Sequence, residues 1–451
     1  MKIIQFLAES LGDASYVVIS GAVAAVIDPQ RDVRPFVAAA RQHGAEIRYV
    51  FETHVHNDYV SGGRELAALG ATIVAPAGGG LQVPHTPAAD GDEFAVGAAR
   101  LRAIAAPGHT YEHTAWLAID EDGATQGAFT GGALLVGSAG RSDLLGPGEA
   151  EELTRLQWQS THRIAALLSP ASQIMPTHGA GSFCSSTAVG GQRMSTLADE
   201  LAANPALAAS GFDGFRALHL SRAAPIPGYY RHMAPINRAG PRVYGEPPHP
   251  ARLTPDAVAL DPARTPIVDV RGRAAYMRGH VPSSVLIEEG GSMLAYAGWL
   301  LPFNAPLSLV TEDAAQALRV TADLFRIGYE DVRGYLPFAD WIAAARPLAS
   351  TPVAGPAAVR DALRAGAPRV LDVRFAYEHA EQPLPGAQQL PVDRLPEWAP
   401  SLPPGPALIV CASGERAAMA ASFLGALGHD VTPLIDGGAE TVLALGPAAP
   451  A

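Results

Sequence analysis

The stretch ETHVHNDY, Glu52 to Tyr59, sets two histidines one residue apart, directly after the apolar run IRYVF. The run reads as a strand. His54 and His56 therefore sit on the loop leaving its C-terminal end, where α/β folds place their chemistry. Imidazole is the commonest metal ligand near neutral pH because it binds while uncharged. Asp58 adds a carboxylate two residues on, and Tyr59 closes the stretch with a phenol.

Working outward, two more histidines follow strand-like runs: His109 in APGHT, and His178 in PTHGAG after ASQIM. Histidines delivered by several strand ends can converge on one ion, and the grouping expected here is His54, His56 and His109. His85, His162, His219, His249 and His429 read as surface or capping residues. His113, four residues after His109, reads as a structural hydrogen-bonding group. Cys184 reads as a buried, inert thiol. Around these, YVVISGAVAAVIDP reads as a hairpin ending in a turn at Asp28-Pro29. RDVRPFVAAARQHG reads as an amphipathic helix stopped by Gly44. The Pro- and Gly-rich segment INRAGPRVYGEPPHPARL marks a linker near 236–253.

Beyond the linker, two stretches share one internal order: strand, Asp-Val-Arg, helix, Pro-containing loop, strand, loop, helix, strand. Asp269-Val270-Arg271 corresponds to Asp372-Val373-Arg374, and Val310-Thr311-Glu312-Asp313 to Val410-Cys411-Ala412-Ser413. This is an internal repeat of about 100 residues, and strands alternating with helices imply small α/β domains with parallel sheets. The second copy carries CASGERA between the strand PALIV and a helix. Cys411 thus stands near a helix N-terminus, whose partial positive charge favours the thiolate. Gly414 permits a tight loop with inward backbone N–H groups, and Arg416 adds a cation. Ala412, Ser413, Gly414 and Glu415 complete the substrate-facing loop. The first copy has no cysteine, and Glu312 and Asp313 there would repel an anionic substrate.

The bulk numbers set the frame. A chain of 451 residues gives two or three domains as the natural expectation. With 32 basic against 44 acidic residues, a net charge of −12 and no basic run, a nucleic-acid footprint is not expected. The N-terminus lacks a signal-peptide pattern, and no apolar stretch approaches the roughly 18–20 residues of a membrane span. Two cysteines far apart are no disulfide framework. A cytoplasmic enzyme is the expectation.

The ordered set THVHND, APGHT, FTGGALLVG, GRSDLLG and PTHGAG, over about residues 1–245, resembles the metallo-β-lactamase superfamily. Within it, the set is most similar to the persulfide dioxygenases of the glyoxalase-II-like branch. The resemblance implies an αβ/βα sandwich with metal at one edge. It implies a first metal site at His54, His56 and His109, with Asp58 and His178 matching a second site or its surroundings. The chain departs at two points. Tyr59 stands where a second-site His belongs, and Gly132 where a bridging Asp belongs. Two ions hold the attacking water of a binuclear hydrolase, so these losses imply a single-metal site. One Fe(II) per chain is expected, with Zn(II) as the alternative. Asp58 would orient a ligand or water, and Tyr59 would face substrate.

Cys-x-x-Gly-x-Arg at a strand-to-helix turn resembles the rhodanese active loop, whose length here is that of sulfurtransferases. The resemblance makes Cys411 and Arg416 catalytic. The expected organisation is multidomain α/β and α+β: a metallo-β-lactamase-like sandwich over 1–245, a rhodanese-like domain without the cysteine over 254–348, and a rhodanese domain over 354–448. The order resembles fusions of persulfide dioxygenase with sulfurtransferase. It implies a small thiol persulfide (of glutathione or another carrier) as substrate, sulfite and thiosulfate as co-substrates or products, and a homo-oligomer. A glyoxalase-II-type hydrolase and a silent scaffold for the Cys411 domain are the other two expectations.

Overall fold

The computed structural model describes residues 1–179, 181–185, 191–220, 225–259 and 265–446. The chain divides into two compact units. The first comprises Met1–Pro247 with Arg326–Gly328, and the second the remainder from Pro248 on. The boundary falls inside the expected linker, which is shorter than the composition suggests. A helix runs over Tyr230–Ala239 and ends only at Gly240, where φ is +89°. Its buried Tyr230, Met233, Ala234 and Asn237 recur at helical spacing on one face, a period that the Pro- and Gly-rich composition hides.

The first unit is built on two six-stranded sheets. One orders β1 (Lys2–Ala8), β2 (Asp13–Ser20), β3 (Val23–Ile27), β4 (Glu46–Phe51), β5 (Thr72–Pro76) and β6 (Thr86–Ala88) in sequence. The β1–β2–β3 pairs are antiparallel, as the hairpin reading expects, and β3 to β6 run parallel. The other sheet holds β7 (Glu93–Val96), β8 (Ala99–Ala105), β9 (Thr114–Ile119), β10 (Thr125–Gly131), β11 (Gln173–Pro176) and β12 (Ser195–Thr196), in the order β12-β11-β10-β9-β8-β7.

Tyr16, Ile27, Phe51, Val74, Leu101, Trp116, Phe129 and Met175 fill the space between the sheets. The Phe51 and Trp116 rings meet edge to face at 4.8 Å. The outer faces are covered as well. Val17, Val26 and Val50 pack with Phe36 and Leu66 from the helices Arg34–Gln42 and Gly63–Ala68. Leu117 and Ile174 pack with Ile164 from the helix Ala150–Leu167. A sheet covered on both faces explains why β2 and β9 are buried at every position, without alternation.

In the second unit the sequence repeat is a repeat of topology. β13 (Ile267–Asp269), β14 (Val285–Leu286), β15 (Leu307–Thr311) and β16 (Val332–Pro337) form a parallel sheet ordered β14-β13-β15-β16. β17 (Arg369–Asp372), β18 (Gln388–Gln389), β19 (Ala407–Val410) and β20 (Val431–Pro433) repeat it as β18-β17-β19-β20. The Asp-Val-Arg device is conserved in geometry. Arg271 folds back on buried Asp269 at 2.7 and 2.9 Å and caps the Gly279 carbonyl at 2.9 Å. Arg374 does the same to Asp372 at 2.6 and 2.9 Å and to the Gln382 carbonyl at 2.9 Å.

Candidate functional site

Strand ends of the first unit deliver a buried cluster: Asp28 after β3, the Thr53–Tyr59 loop after β4, His109 and His113 between β8 and β9, Gly131 and Gly132 at the end of β10, and His178 after β11. Asp13 opens β2 beside His178. The hydrogen-bond partners fix which nitrogen of each ring is left for a ligand. His54 Nδ1 lies 2.8 Å from Thr53 Oγ1, which itself donates to Asp28 Oδ2 at 2.7 Å. His54 Nδ1 is therefore the donor and Nε2 carries the lone pair. His109 Nδ1 donates to the Arg141 carbonyl at 2.7 Å, and His178 Nδ1 to Asp13 Oδ1 at 2.9 Å. Three Nε2 atoms thus face inward; that of His178 lies 3.3 Å from that of His54, a hydrogen bond that His178 donates while no cation is bound. Protein acceptors on the far nitrogens are the usual means of orienting metal-binding imidazoles.

His56 is turned the other way. Its Nε2 lies 3.2 Å from Asp28 Oδ1, 3.2 Å from Glu52 Oε2 and 3.0 Å from the Tyr59 hydroxyl, while its Nδ1 is buried without a hydrogen-bond partner. Among the described residues, ligand atoms gather in three overlapping sets: His54, His109 and His178; Asp28, His54 and His56; and His56, Asp58 and His178. The grouping expected from sequence, His54 with His56 and His109, is not one of these sets. His178 reaches in from β11 to join His54 and His109, while His56 joins Asp28 and His54 in one set and Asp58 and His178 in another.

A divalent cation fits this donor set. His56 Nδ1, His109 Nε2 and Asp58 Oδ1 are buried with no hydrogen-bond partner, and Asp58 Oδ2 has only a long ion-pair contact, 3.3 Å from His178 Nδ1. Each such group costs about 1–3 kcal/mol in a dry interior, and all of them are groups that a cation satisfies. A bridging carboxylate has no room. A Cβ on Gly132 would stand 2.5 Å from Cγ of His109 and closer still to its Cδ2. The Gly132 N–H donates to His113 Nε2 at 2.9 Å, and Gln157 donates to the Gly132 carbonyl at 2.9 Å. His113 is a structural hydrogen-bonding group, as its spacing suggests.

Burial and the neighbouring rings hold His54 and His109 neutral, well below the usual imidazole range. Burial brings His113 down to about 3. Burial opposes charge on His178 too, but Asp58 and Asp13 outweigh it and raise it to about 10. The two carboxylates that share His178 split: burial and Asp58 push Asp13 up to about 8, while Asp58 resists burial and is held low by His178. Burial likewise disfavours charge on His56, and Asp28 and Glu52 override it. Tyr59 is fully buried, so it does not line an open substrate surface. It stacks on His56 at 4.3 Å.

Several supporting residues were not read from the sequence. Asp28 has a signal, an acid directly before a proline where a strand-like run ends; in the structure it takes φ +47°. Asp13, one acid at the head of an apolar strand, had a weaker one. Asn237 had none. Its amide donates to the His56 and Tyr59 carbonyls at 2.9 Å each and accepts from Ser61 N–H at 2.9 Å, clamping the histidine loop. Cys184 is buried, 3.8 Å from the Tyr230 hydroxyl.

In the second unit, β19 ends at Val410 and the helix Glu415–Ala426 begins behind Gly414. Cys411 Sγ accepts from the N–H groups of Gly414 at 3.1 Å and Ala417 at 3.4 Å. Ala412 and Ser413 are exposed, Gly414 is buried and Glu415 half-buried. Gly414 has φ +91°, and a Cβ there would collide with the Ile435 carbonyl, so the turn requires glycine. Arg416 is not a free cation. It forms a two-pronged pair with Glu378 at 2.5 and 2.8 Å and lies over the Phe375 ring. At the matching place in the first repeat Thr311 is buried. The Gln316 side chain fills that loop, accepting from the Glu312 N–H and donating to the Val270 carbonyl.

Comparisons with known proteins bear on the folds that carry the two sites. Residues 355–444 match the rhodanese-like domain family. The structure of a metallo-beta-lactamase from Staphylococcus aureus subsp. aureus COL superposes with a TM-score of 0.67 at 29% identity, covering 74% of this chain and 98% of that one. The first unit has the metallo-β-lactamase fold. A rhodanese domain follows at the C-terminal end. Among curated proteins, the hydroxyacylglutathione hydrolase of Methylococcus capsulatus is 38% identical over 151 residues, 33% of this chain and 54% of the relative. That of Rhodospirillum rubrum is 35% identical over 147 residues, 32% of this chain and 52% of the relative. The chain spans about half the length of these curated relatives. Metallo-β-lactamase folds of this kind bind divalent metals, in keeping with the His/Asp cluster. No helix among the described residues is long and apolar enough to cross a membrane.

Proposed function

We propose that this chain clears sulfane sulfur: its first unit oxidises a low-molecular-weight persulfide at a single metal ion, and Cys411 transfers sulfur between thiols and sulfite. The observation that carries the reading is the joining, in one chain, of an imidazole cradle closed to a bridging carboxylate with a cysteine sulfur held by one N–H of the loop and one of the helix that follows it. A binuclear hydrolase needs the bridge; this cradle supports one ion. Fe(II) is the metal that suits the proposed oxidation, and Zn(II) suits the same ligands.

The balanced oxidation takes one persulfide, one dioxygen and one water to thiol, sulfite and two protons. A bound ion would supply the redox centre with open positions for the reactants. The protein's part is to hold His54, His109 and His178 with Nε2 inward through Thr53, Arg141 and Asp13, to place Asp58 beside them, and to exclude bulk water. In the transfer half, the Cys411 thiolate attacks the outer sulfur of a persulfide and expels the carrier thiolate. The resulting Cys411 persulfide gives that sulfur to sulfite, releasing thiosulfate and the thiolate. The Gly414 and Ala417 N–H groups stabilise negative charge on sulfur in both steps. Arg416 is held beside the loop by Glu378, and its role is to support the loop's field rather than to grip an anion. The repeat over 254–348 is read as a rhodanese-like domain without chemistry, on the strength of its matching strand order and its Thr311 loop.

The curated relatives are named hydroxyacylglutathione hydrolases, which supports glutathione as the carrier and keeps thioester hydrolysis as the second reading. Oxygen uptake separates the two. Protein loaded anaerobically with Fe(II) is expected to consume oxygen with glutathione persulfide, and the His54→Ala variant is not. Absence of uptake together with steady hydrolysis of a glutathione thioester by the zinc-loaded protein would replace the first reading with the second.

A further inference from the structure

We propose that Tyr59 is a positioning residue of the metal site: its ring and hydroxyl fix His56 so that Nδ1 is presented to the cation. The inference rests on the metal-site reading above and names what the phenol does there. Tyr59 and His56 are both buried, stacked with centroids 4.3 Å apart and planes 26° apart. The hydroxyl has one proton, which it donates to the Asp28 carbonyl at 3.2 Å. Toward His56 Nε2, 3.0 Å away, it must then act as acceptor, which requires the proton on Nε2. The carboxylates of Asp28 and Glu52, each 3.2 Å from the same nitrogen, demand the same tautomer. In the neutral ring, the form that binds a cation, the lone pair is left on Nδ1, which is buried with no hydrogen-bond partner among the described residues.

His56 therefore approaches the shared space through the opposite nitrogen from His54, His109 and His178. Asn237 locks the same arrangement from behind by holding the His56 and Tyr59 carbonyls. The phenol hydroxyl is taken up by the Asp28 carbonyl and by His56 Nε2, the ring nitrogen opposite Nδ1. A group that orients a ligand in this way is worth about 10–100-fold in metal affinity.

The test is Zn(II) binding by competition with a chromophoric chelator, with bound metal counted by elemental analysis, on wild type, Tyr59→Phe and His56→Ala. The Phe variant removes only the hydroxyl, and thermal unfolding of the metal-free proteins reports whether each variant folds. The inference expects one Zn(II) per wild-type chain, about 10–100-fold weaker binding in Tyr59→Phe, and at least as large a loss in His56→Ala. Wild-type affinity in a folded Tyr59→Phe overturns it. So does wild-type affinity in His56→Ala, a result that does not depend on how the Tyr59 variant folds. A visible phenolate-to-iron band in the ferric protein that disappears in Tyr59→Phe also overturns it, because Tyr59 would then be a ligand. A wild type that binds no metal removes the metal-site reading itself, an outcome distinct from the other three.

Discussion

Restoring the aspartate at position 132 should not rebuild a two-metal site; it should damage the one-metal site. The Gly132 backbone is in contact with the His109 ring, and a Cβ would stand 2.5 Å from Cγ, where ordinary contact begins at roughly 3.4 Å. The ring cannot retreat cheaply. It is fully buried, and its Nδ1 is tied to the Arg141 carbonyl at 2.7 Å. The strand end is pinned by Gly132 N–H to His113 and by Gln157 to the Gly132 carbonyl. Overpacking of this kind costs about 1–3 kcal/mol. Moving the ring off the Arg141 carbonyl adds about 1 kcal/mol. Gly132→Asp should thus lose about 2–4 kcal/mol, and Gly132→Ala nearly as much because the clash begins at Cβ. Equilibrium denaturation of the metal-free proteins reads the stability, and titration with Zn(II) reads the stoichiometry. Wild-type stability in Gly132→Asp, with two ions bound per chain, would refute the packing argument.

Three further predictions concern other parts of the molecule. Gly414→Ala forces a side chain at φ +91° into the Ile435 carbonyl, so it should cut sulfur transfer at Cys411 by orders of magnitude while leaving metal binding unchanged; equal transfer rates would show the turn to be adaptable. His219, expected from the sequence at the surface, is instead nearly fully buried against Phe215, and burial depresses it to about 4, so above pH 6.5 its folded and unfolded forms are both neutral and stability is complete. Between about 6.5 and 4 the unfolded chain takes up a proton that the folded one refuses, and stability falls with pH by up to about 3 kcal/mol; denaturation midpoints that fall equally in wild type and His219→Leu over that range would contradict this. Asp372→Ala leaves Arg374 buried without its carboxylate and should cost about 3–5 kcal/mol by denaturation, as should Asp269→Ala with Arg271 in the other repeat; a difference of several kcal/mol between the two would break the structural equivalence of the repeats.

The features legible in the sequence were those written in local spacing. His-x-His after an apolar strand, the hairpin before Asp28, the repeated Asp-Val-Arg and the Cys411 loop each lie within a few residues, and each stands in the structure where its motif places it. What the sequence hid is long-range. Asp13 meets His178 across 165 residues, and Asn237 clamps a loop 181 residues away. No local period announces such partners. The orientation of His56 was also out of reach, because it depends on three acceptors brought together by β3, β4 and the loop itself. From the sequence alone, Arg416 reads as a cation for the sulfur. Its pairing with Glu378, delivered from a helix of the same domain, appears only once the sheet is assembled.

The most direct test of the account is the product ratio from one persulfide. With Fe(II)-loaded protein, glutathione persulfide and air, wild type should yield thiosulfate with sulfite as the intermediate. Cys411→Ser should stop at sulfite while oxygen uptake continues, and His54→Ala should produce neither. Identical products from wild type and Cys411→Ser, or sulfite from His54→Ala, would contradict the assignment of two chemistries to these two sites.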